Sequence, residues 1–388
     1  MRNNVGEEIV HRLAVSGQEF SLYIHLPFCA RKCPYCSFFS VVPRNGEIEE
    51  YCRLLHSEIR FFGERLAGSG ALAGTIYFGG GTPSLLAPAD WERLFKCLRK
   101  HILFDQKVEI TVEANPDSLS ESHVRLWKEQ GVSRISVGVQ SFIDGELRWL
   151  GRLHDADRAR MALAMCVHSG ISVSADFMFG LAGQSLRSFS TSIAEAIALG
   201  AEHLSLYQLS IDETSRWSDN PPEGRKDGYP FYRWSQWYLP KKGFAQYEIS
   251  SFARPGKECR HNSAYWTNGA VLALGAGAWG YADGIRYRNE RTLIGYAEAI
   301  RRNGHSVAEA ETPDACKRAH EAAILMLRTA RGISFEAFTS RYGEETLSSL
   351  LRTLEENAPP DCFVRSDASF ALSPKGMRVA NALWSLIV

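Results

Sequence analysis

The sequence predicts an α/β fold: a partial (β/α)6 barrel followed by a smaller, mainly helical, winged-helix-like C-terminal domain. Three observations predict it. Between residues 21 and 210, six short runs rich in Val, Ile, Tyr and Phe alternate with segments of helical period. After the second run, successive strand ends fall about 30 residues apart, the length of a repeated βα unit. Such repetition builds a parallel sheet, here taken to curl. Finally, a Pro/Gly break at 220–224 closes the repeat, and the chain beyond 313 has a different, helix-rich pattern.

Taken in order, the strands are expected at 21–26, 75–78, 108–114, 134–139, 173–179 and 203–209. The clearest helix is 47–66, where Ile48, Tyr51, Leu54, Leu55, Ile59 and Phe62 share one face. After the break come an aromatic helix near 229–239 and an extended stretch at 246–249. Thr312-Pro313 and Ser373-Pro374 each offer an N-cap followed by proline at the first helical position. Between them, helices are expected at 313–331, 334–341 and 344–357, then a turn-strand segment at 362–372. The expected domains are therefore 1–220 (barrel), 221–312 (barrel extension) and 313–388 (C-terminal domain).

Charge excludes some functions. The 388 residues carry 44 Lys and Arg against 44 Asp and Glu, without dense basic runs. That balance argues against an electrostatically driven nucleic-acid binder. The winged-helix-like tail is acidic at Glu344, Glu345, Glu355 and Glu356, unlike a DNA-reading helix. Glu7, Glu8, His11 and Arg12 interrupt the apolar residues of 1–20, so no export signal is read there. The small-residue apolar stretch 270–282 is too short to span a bilayer. Nine cysteines, three of them within eight residues, fit metal ligation and buried thiols better than a disulfide framework. The expected compartment is the cytoplasm.

The sharpest motif is Cys29-Ala-Arg-Lys-Cys33-Pro-Tyr-Cys36, directly after the first expected strand. Iron–sulfur clusters normally take four cysteines, so three leave one iron for another ligand. The competing reading is a zinc site of three cysteines and His25. Other polar elements fall at the C-terminal ends of the remaining strands, where βα barrels bind ligands. They are Gly79-Gly80-Gly81-Thr82-Pro83, Glu113, Gln140, Asp176 and Tyr207-Gln208. Singly, each has a plain alternative: a tight turn, a loop cap, or for Arg152 a solvated helix-end charge.

The Cys-x3-Cys-x2-Cys spacing resembles that of the radical-SAM superfamily. The surrounding stretches are Tyr23-Ile-His25-Leu-Pro27-Phe28, Gly-Gly-Gly-Thr-Pro, Glu-Ala-Asn-Pro, Ser136-Val-Gly-Val-Gln140 and Asp176-Phe-Met-Phe-Gly180. In that order they resemble the oxygen-independent coproporphyrinogen III oxidase-like family, from about residue 21 to 285. The resemblance implies a radical-SAM barrel with a 4Fe–4S cluster on Cys29, Cys33 and Cys36. S-adenosylmethionine (SAM) would sit on the open iron, where reductive cleavage releases a 5′-deoxyadenosyl radical. By the same match, Tyr23, Tyr35, Gly80, Gly81, Thr82, Glu113, Gln140, Arg152 and Asp176 would contact SAM.

Two branches of that family differ here. Porphyrinogen-decarboxylating members carry a fourth cysteine two residues after the third and a longer N-terminal region. This sequence has Phe38 at that position and 28 residues before Cys29. The other branch comprises heme chaperones. The stretch from Tyr247 to Gly256, then His261-Asn262-Ser-Ala-Tyr265-Trp266, resembles theirs, which makes His261 the expected heme contact. The plain alternative is a histidine hydrogen-bonded at a strand end, with Tyr265 and Trp266 filling core. One departure is Trp279, where many chaperone relatives have histidine. The aromatic residues Tyr229, Phe231, Tyr232, Trp234, Trp237 and Tyr238 suit either a porphyrin or a packed helix face. The chaperone resemblance implies heme as cargo, an apo-hemoprotein acceptor and an electron donor. It leaves open a membrane-associated acceptor and a homodimer.

Overall fold

The computed structural model describes residues 5–15 and 19–388. Residues 1–4 and 16–18 of the stretch read above for an export signal lie outside the described residues. Residues 5–15 form an amphipathic helix burying Ile9, Val10 and Leu13. None of the helices is long and apolar enough to cross a membrane, among the described residues.

The chain folds into two compact units, residues 1–227 with 270–311 and residues 228–269 with 312–388. In the first, six parallel strands follow one another: β1 (Phe20–Leu26), β2 (Ala73–Gly80), β3 (Glu109–Ala114), β4 (Arg134–Gln140), β5 (Ser172–Phe179) and β6 (His203–Gln208). These match the expected strands to within two residues at each end. The intervening helices bury one face each. Helix Glu47–Leu66 buries Tyr51, Leu55, Ile59 and Phe62, while Trp91 and Phe95 pack on Phe78 of β2 and Trp127 packs edge-on to Trp91.

The sheet does not stop at β1. Val271–Leu274 pairs with it in parallel on the side away from β2, and Trp279–Ala282, Ile285–Asn289 and Val307–Glu311 continue antiparallel. The expected single extension 221–312 is therefore divided: 270–311 completes the barrel sheet, and 228–269 belongs to the second unit. The small residues of 270–282 have a steric cause. A Cβ at Gly275 (φ +93°) would lie 2.5 Å from the His25 carbonyl and the Tyr51 hydroxyl. A buried carboxylate, Glu58, fastens the same region. It accepts from Gly275 N (2.8 Å), Tyr296 Oη (3.0 Å), Ser306 N (3.0 Å) and the Ser306 hydroxyl.

The second unit holds the aromatic helix Tyr229–Tyr238, a short Ala245–Gln246/Ser251–Ala253 hairpin and helix Arg260–Trp266. Helices Ala315–Leu327, Phe335–Tyr342 and Glu344–Asn357 are accompanied by a three-stranded sheet with Ser369–Leu372 at its centre. Three helices and a small ribbon give the winged-helix-like arrangement expected. Ser373 caps the helix at Pro374 through Gly376 N, as expected. Thr312 does not cap its helix: Asp314 does, accepting from Lys317 N at 2.8 Å, because Asp314 stands immediately before the first helical residue.

Candidate functional site

The cysteines lie on the loop between β1 and helix Glu47–Leu66, and backbone bonds fix that loop to the ends of two strands. Cys29 N donates to Val41 O (3.0 Å) and Val41 N to Pro27 O (2.7 Å), closing its base. Gly81 N donates to Leu26 O (2.9 Å) and Thr82 N to Phe28 O (2.7 Å), joining it to the turn after β2. The three glycines make this approach feasible. A Cβ on Gly81 would sit 2.7 Å from three backbone atoms of 26–28, and one on Gly80 (φ +106°) would sit 2.2 Å from the His25 ring. The run is thus a close-approach element and more than a tight turn.

His25 acts as a bolt. Its Nε2 meets Phe39 O at 2.8 Å and its Nδ1 meets the Tyr23 hydroxyl at 3.0 Å. A neutral ring that donates from Nε2 and accepts at Nδ1 satisfies both contacts. Burial keeps it neutral, its pKa lowered to about 4. With both nitrogens engaged, His25 does not present a zinc ligand. No three His, Cys, Asp or Glu side chains converge on one ion among the described residues. A cubane asks for a different arrangement, since it spreads three thiolates over three irons. None of the nine cysteines, all among the described residues, is in a disulfide, and burial raises the pKa of Cys29 and Cys36.

Above the loop the expected rim residues converge. Glu113 accepts from the Tyr77 hydroxyl (2.8 Å) and Gly80 N (3.1 Å), and burial, with Asp176 nearby, pushes its pKa up to about 7. Asp176 accepts from the Ser136 hydroxyl (2.9 Å), and burial raises its pKa despite the serines around it. Arg152 is not a solvated charge. Its Nη1 reaches Cys33 Sγ (3.6 Å) and the Tyr35 hydroxyl (3.5 Å), and its Nη2 donates to Asn115 Oδ1 (2.7 Å) and Gly138 O (3.2 Å). Its Nε is buried and has no hydrogen-bond partner among the described residues. Gln140 ends β4 with φ +66°, a left-handed conformation that costs a non-glycine residue about 1–3 kcal/mol. Tyr207, near the end of β6, is 43% exposed.

Two half-buried carboxylates and a half-buried guanidinium suit a ligand with hydroxyls, an ammonium group and a carboxylate of its own. Those are the groups of SAM, so the residues present fit it. Ser136 and Asn115, which orient Asp176 and Arg152, stand inside the motifs quoted above without a role of their own there, and Tyr77, which orients Glu113, stands in none. Their placement on or beside neighbouring strands supplies that role.

In the second unit His261 is 1% exposed and packs edge-on to Tyr265 at 5.5 Å; burial lowers its pKa to about 3. Trp266 lies under the Arg328 guanidinium (4.2 Å), which faces buried Glu248 at 3.6 Å. On the aromatic helix, Phe231 and Tyr232 are buried, whereas Trp237 is 58% exposed beneath Lys241. Trp279, in the first unit, is 53% exposed with Arg288 over its ring.

The family model of the Radical SAM superfamily matches residues 23–196. Over 373 residues the chain is 31% identical to heme chaperone HemW of Bacillus subtilis, covering 94% of this chain and 98% of that one. The chain belongs to the heme chaperone HemW family. HemW of Escherichia coli is 35% identical over 283 residues, covering 70% of this chain and 73% of its own. Among solved structures, coproporphyrinogen III oxidase (HemN) of Escherichia coli, a radical SAM enzyme, superposes with a TM-score of 0.84. It covers 98% of this chain and 93% of its own at 20% identity, a likeness of fold. The fold is thus the radical-SAM one, in its HemN-like form and HemW branch.

Proposed function

We propose that this chain is a heme carrier: it binds heme and passes it to an acceptor hemoprotein, on a scaffold that also holds a 4Fe–4S cluster and SAM. The observation that carries the reading is the end-to-end match to a heme chaperone, reinforced by Phe38. That side chain, 65% exposed, stands where a decarboxylating relative would place a fourth cysteine.

Cys29, Cys33 and Cys36 would hold the cluster, and Tyr23, Tyr35, Gly80, Gly81, Thr82, Glu113, Gln140, Arg152 and Asp176 would hold SAM. Cluster and SAM together supply one-electron chemistry. Arg152 offers its unpartnered Nε and its charge to a carboxylate. Glu113 and Asp176 accept from hydroxyl or ammonium groups. Glycines 79–81 let the end of β2 and the residue after it pack closely on Glu113, His25 and the cysteine loop. His261 is the candidate heme contact, because burial keeps its imidazole in the neutral form that coordinates iron.

An anaerobic heme titration, with and without reconstituted cluster, tests the carrier. Saturable growth of a Soret band is expected, and its absence overturns the assignment. Binding unchanged in His261→Ala removes that residue from the site and leaves the carrier standing. Sustained 5′-deoxyadenosine release coupled to loss of coproporphyrinogen would instead make the chain a decarboxylating enzyme. For the cluster, uptake of about four irons per chain is expected.

A further inference from the structure

We infer that Asn115 is a positioning residue that governs the hydrogen bonds reaching two of the three cysteine sulfurs. The inference rests on the reading of those cysteines as cluster ligands. Asn115 directly follows β3, and its backbone is held by Ser84 Oγ at its N–H and by Ser118 N and Leu119 N at its carbonyl. Its side chain lies between Thr82 and Arg152. Asn115 Nδ2 donates to Thr82 Oγ1 at 3.0 Å, and Thr82 Oγ1 reaches Cys29 Sγ at 3.5 Å. On the other side Asn115 Oδ1 accepts from Arg152 Nη2 at 2.7 Å, and Arg152 Nη1 reaches Cys33 Sγ at 3.6 Å.

The direction of every proton in this chain follows from one end. A guanidinium can only donate, so the amide must turn its oxygen to Arg152 and its nitrogen to Thr82. The Thr82 oxygen is then occupied as an acceptor by the amide, and its own hydrogen is left to point at Cys29. A carboxylate at 115 would accept from both neighbours and draw the threonine hydrogen away from sulfur. An alkyl side chain would orient neither. Space for the amide is reserved by Gly138, whose Cβ would lie 2.9 Å from Asn115 Oδ1.

Hydrogen bonds to ligating sulfurs stabilise the more negative, reduced state of a cluster and so raise its potential. The test is a redox titration, followed by electron paramagnetic resonance, of reconstituted full-length wild type, Asn115→Leu, Thr82→Val and the double variant. At the potential that half-reduces wild type, the reduced-to-oxidised ratio is expected to fall about tenfold in Asn115→Leu, equivalent to about 59 mV for one electron. A smaller fall is expected in Thr82→Val. The double variant should fall no further than Asn115→Leu, because without the amide the threonine hydrogen is no longer directed at sulfur.

An unchanged ratio in iron-loaded Asn115→Leu overturns the inference alone, as do effects of the two substitutions that multiply independently. Should Asn115→Leu fail to hold iron, Thr82→Val decides, and an unchanged ratio there overturns the inference. Wild type that takes up no iron overturns the cluster reading itself, and this inference with it.

Discussion

The main-chain N–H of Trp217 donates to the carbonyl of Pro34 at 3.2 Å, so a segment beyond β6 clasps the middle of the cysteine loop. The indole also lies 6.0 Å from the Tyr35 ring and 4.7 Å from Trp149, against an apolar cluster of Leu150, Met178, Leu181 and Leu209. Trp217→Ala removes the packing and keeps the backbone bond. We expect a loss of about 1–3 kcal/mol, below the range for a fully buried tryptophan. We also expect severalfold faster loss of the cluster's visible absorbance in the presence of a chelator. Denaturant titration and timed iron assays check the two parts; equal cluster lifetimes would disconnect Trp217 from the loop.

Gly80→Ala places a methyl group 2.2 Å from the His25 ring on a backbone with φ +106°. Both the strain and the collision act on the bolt between β1 and the cysteine loop. The expected cost is at least about 2 kcal/mol, with reduced iron uptake. Gly68→Ala, also at positive φ but with open space around its Cβ, is the control and should lose less stability. Thermal unfolding of both variants separates collision from backbone strain.

Glu58→Ala strands two buried backbone donors and two hydroxyls that now converge on the carboxylate. Leaving buried donors unsatisfied costs about 1–3 kcal/mol each before relaxation. A total near 4 kcal/mol is expected, with Glu58→Gln intermediate because its amide oxygen can still accept. Denaturant unfolding measures both. A near-neutral Glu58→Ala would show that water replaces the carboxylate.

Glu113 sets a pH dependence. Burial first, then the neighbouring Asp176, raises its pKa from 4.5 to about 7. A raised carboxylate pKa contributes stability that is complete below about 4.5 and is lost as pH rises through about 7. In the ligand-free protein, Glu113→Gln should therefore flatten the decline in stability between those values. Ligand binding runs the other way: hydroxyl or ammonium donors need the ionised carboxylate, so SAM affinity is expected to climb between pH 6 and 8 in wild type and stay level in Glu113→Gln. Calorimetric titration at three pH values distinguishes the two profiles.

The sequence made the barrel strands legible because each is a short apolar run flanked by Gly, Pro or Asp, and helix 47–66 because its apolar face repeats cleanly. It concealed the four strands of 270–311. Val271–Leu274 reads as any buried apolar run, and only Glu58 and Tyr51, far earlier in the chain, show where it docks. The cysteines and the rim carboxylates were visible as motifs. The roles of the orienting groups were not: Ser136 and Asn115 stood in those motifs and Tyr77 outside them, and what each does depends on which strand lies next to it. Arg152 was legible as a candidate, yet its burial between Cys33 and Asn115 could not be read from a helix-end position.

Because β1 is sandwiched between β2 and Val271–Leu274, one of its edges stays unsatisfied throughout most of the chain's manufacture. At about 5–20 residues per second a ribosome needs roughly 12–50 s to travel from the end of β1 to residue 271. During that interval the emerging polypeptide exposes an apolar seam beside the future cysteine loop. Nascent chains arrested near residue 227 should accordingly be digested readily by protease, and those released beyond residue 311 should resist.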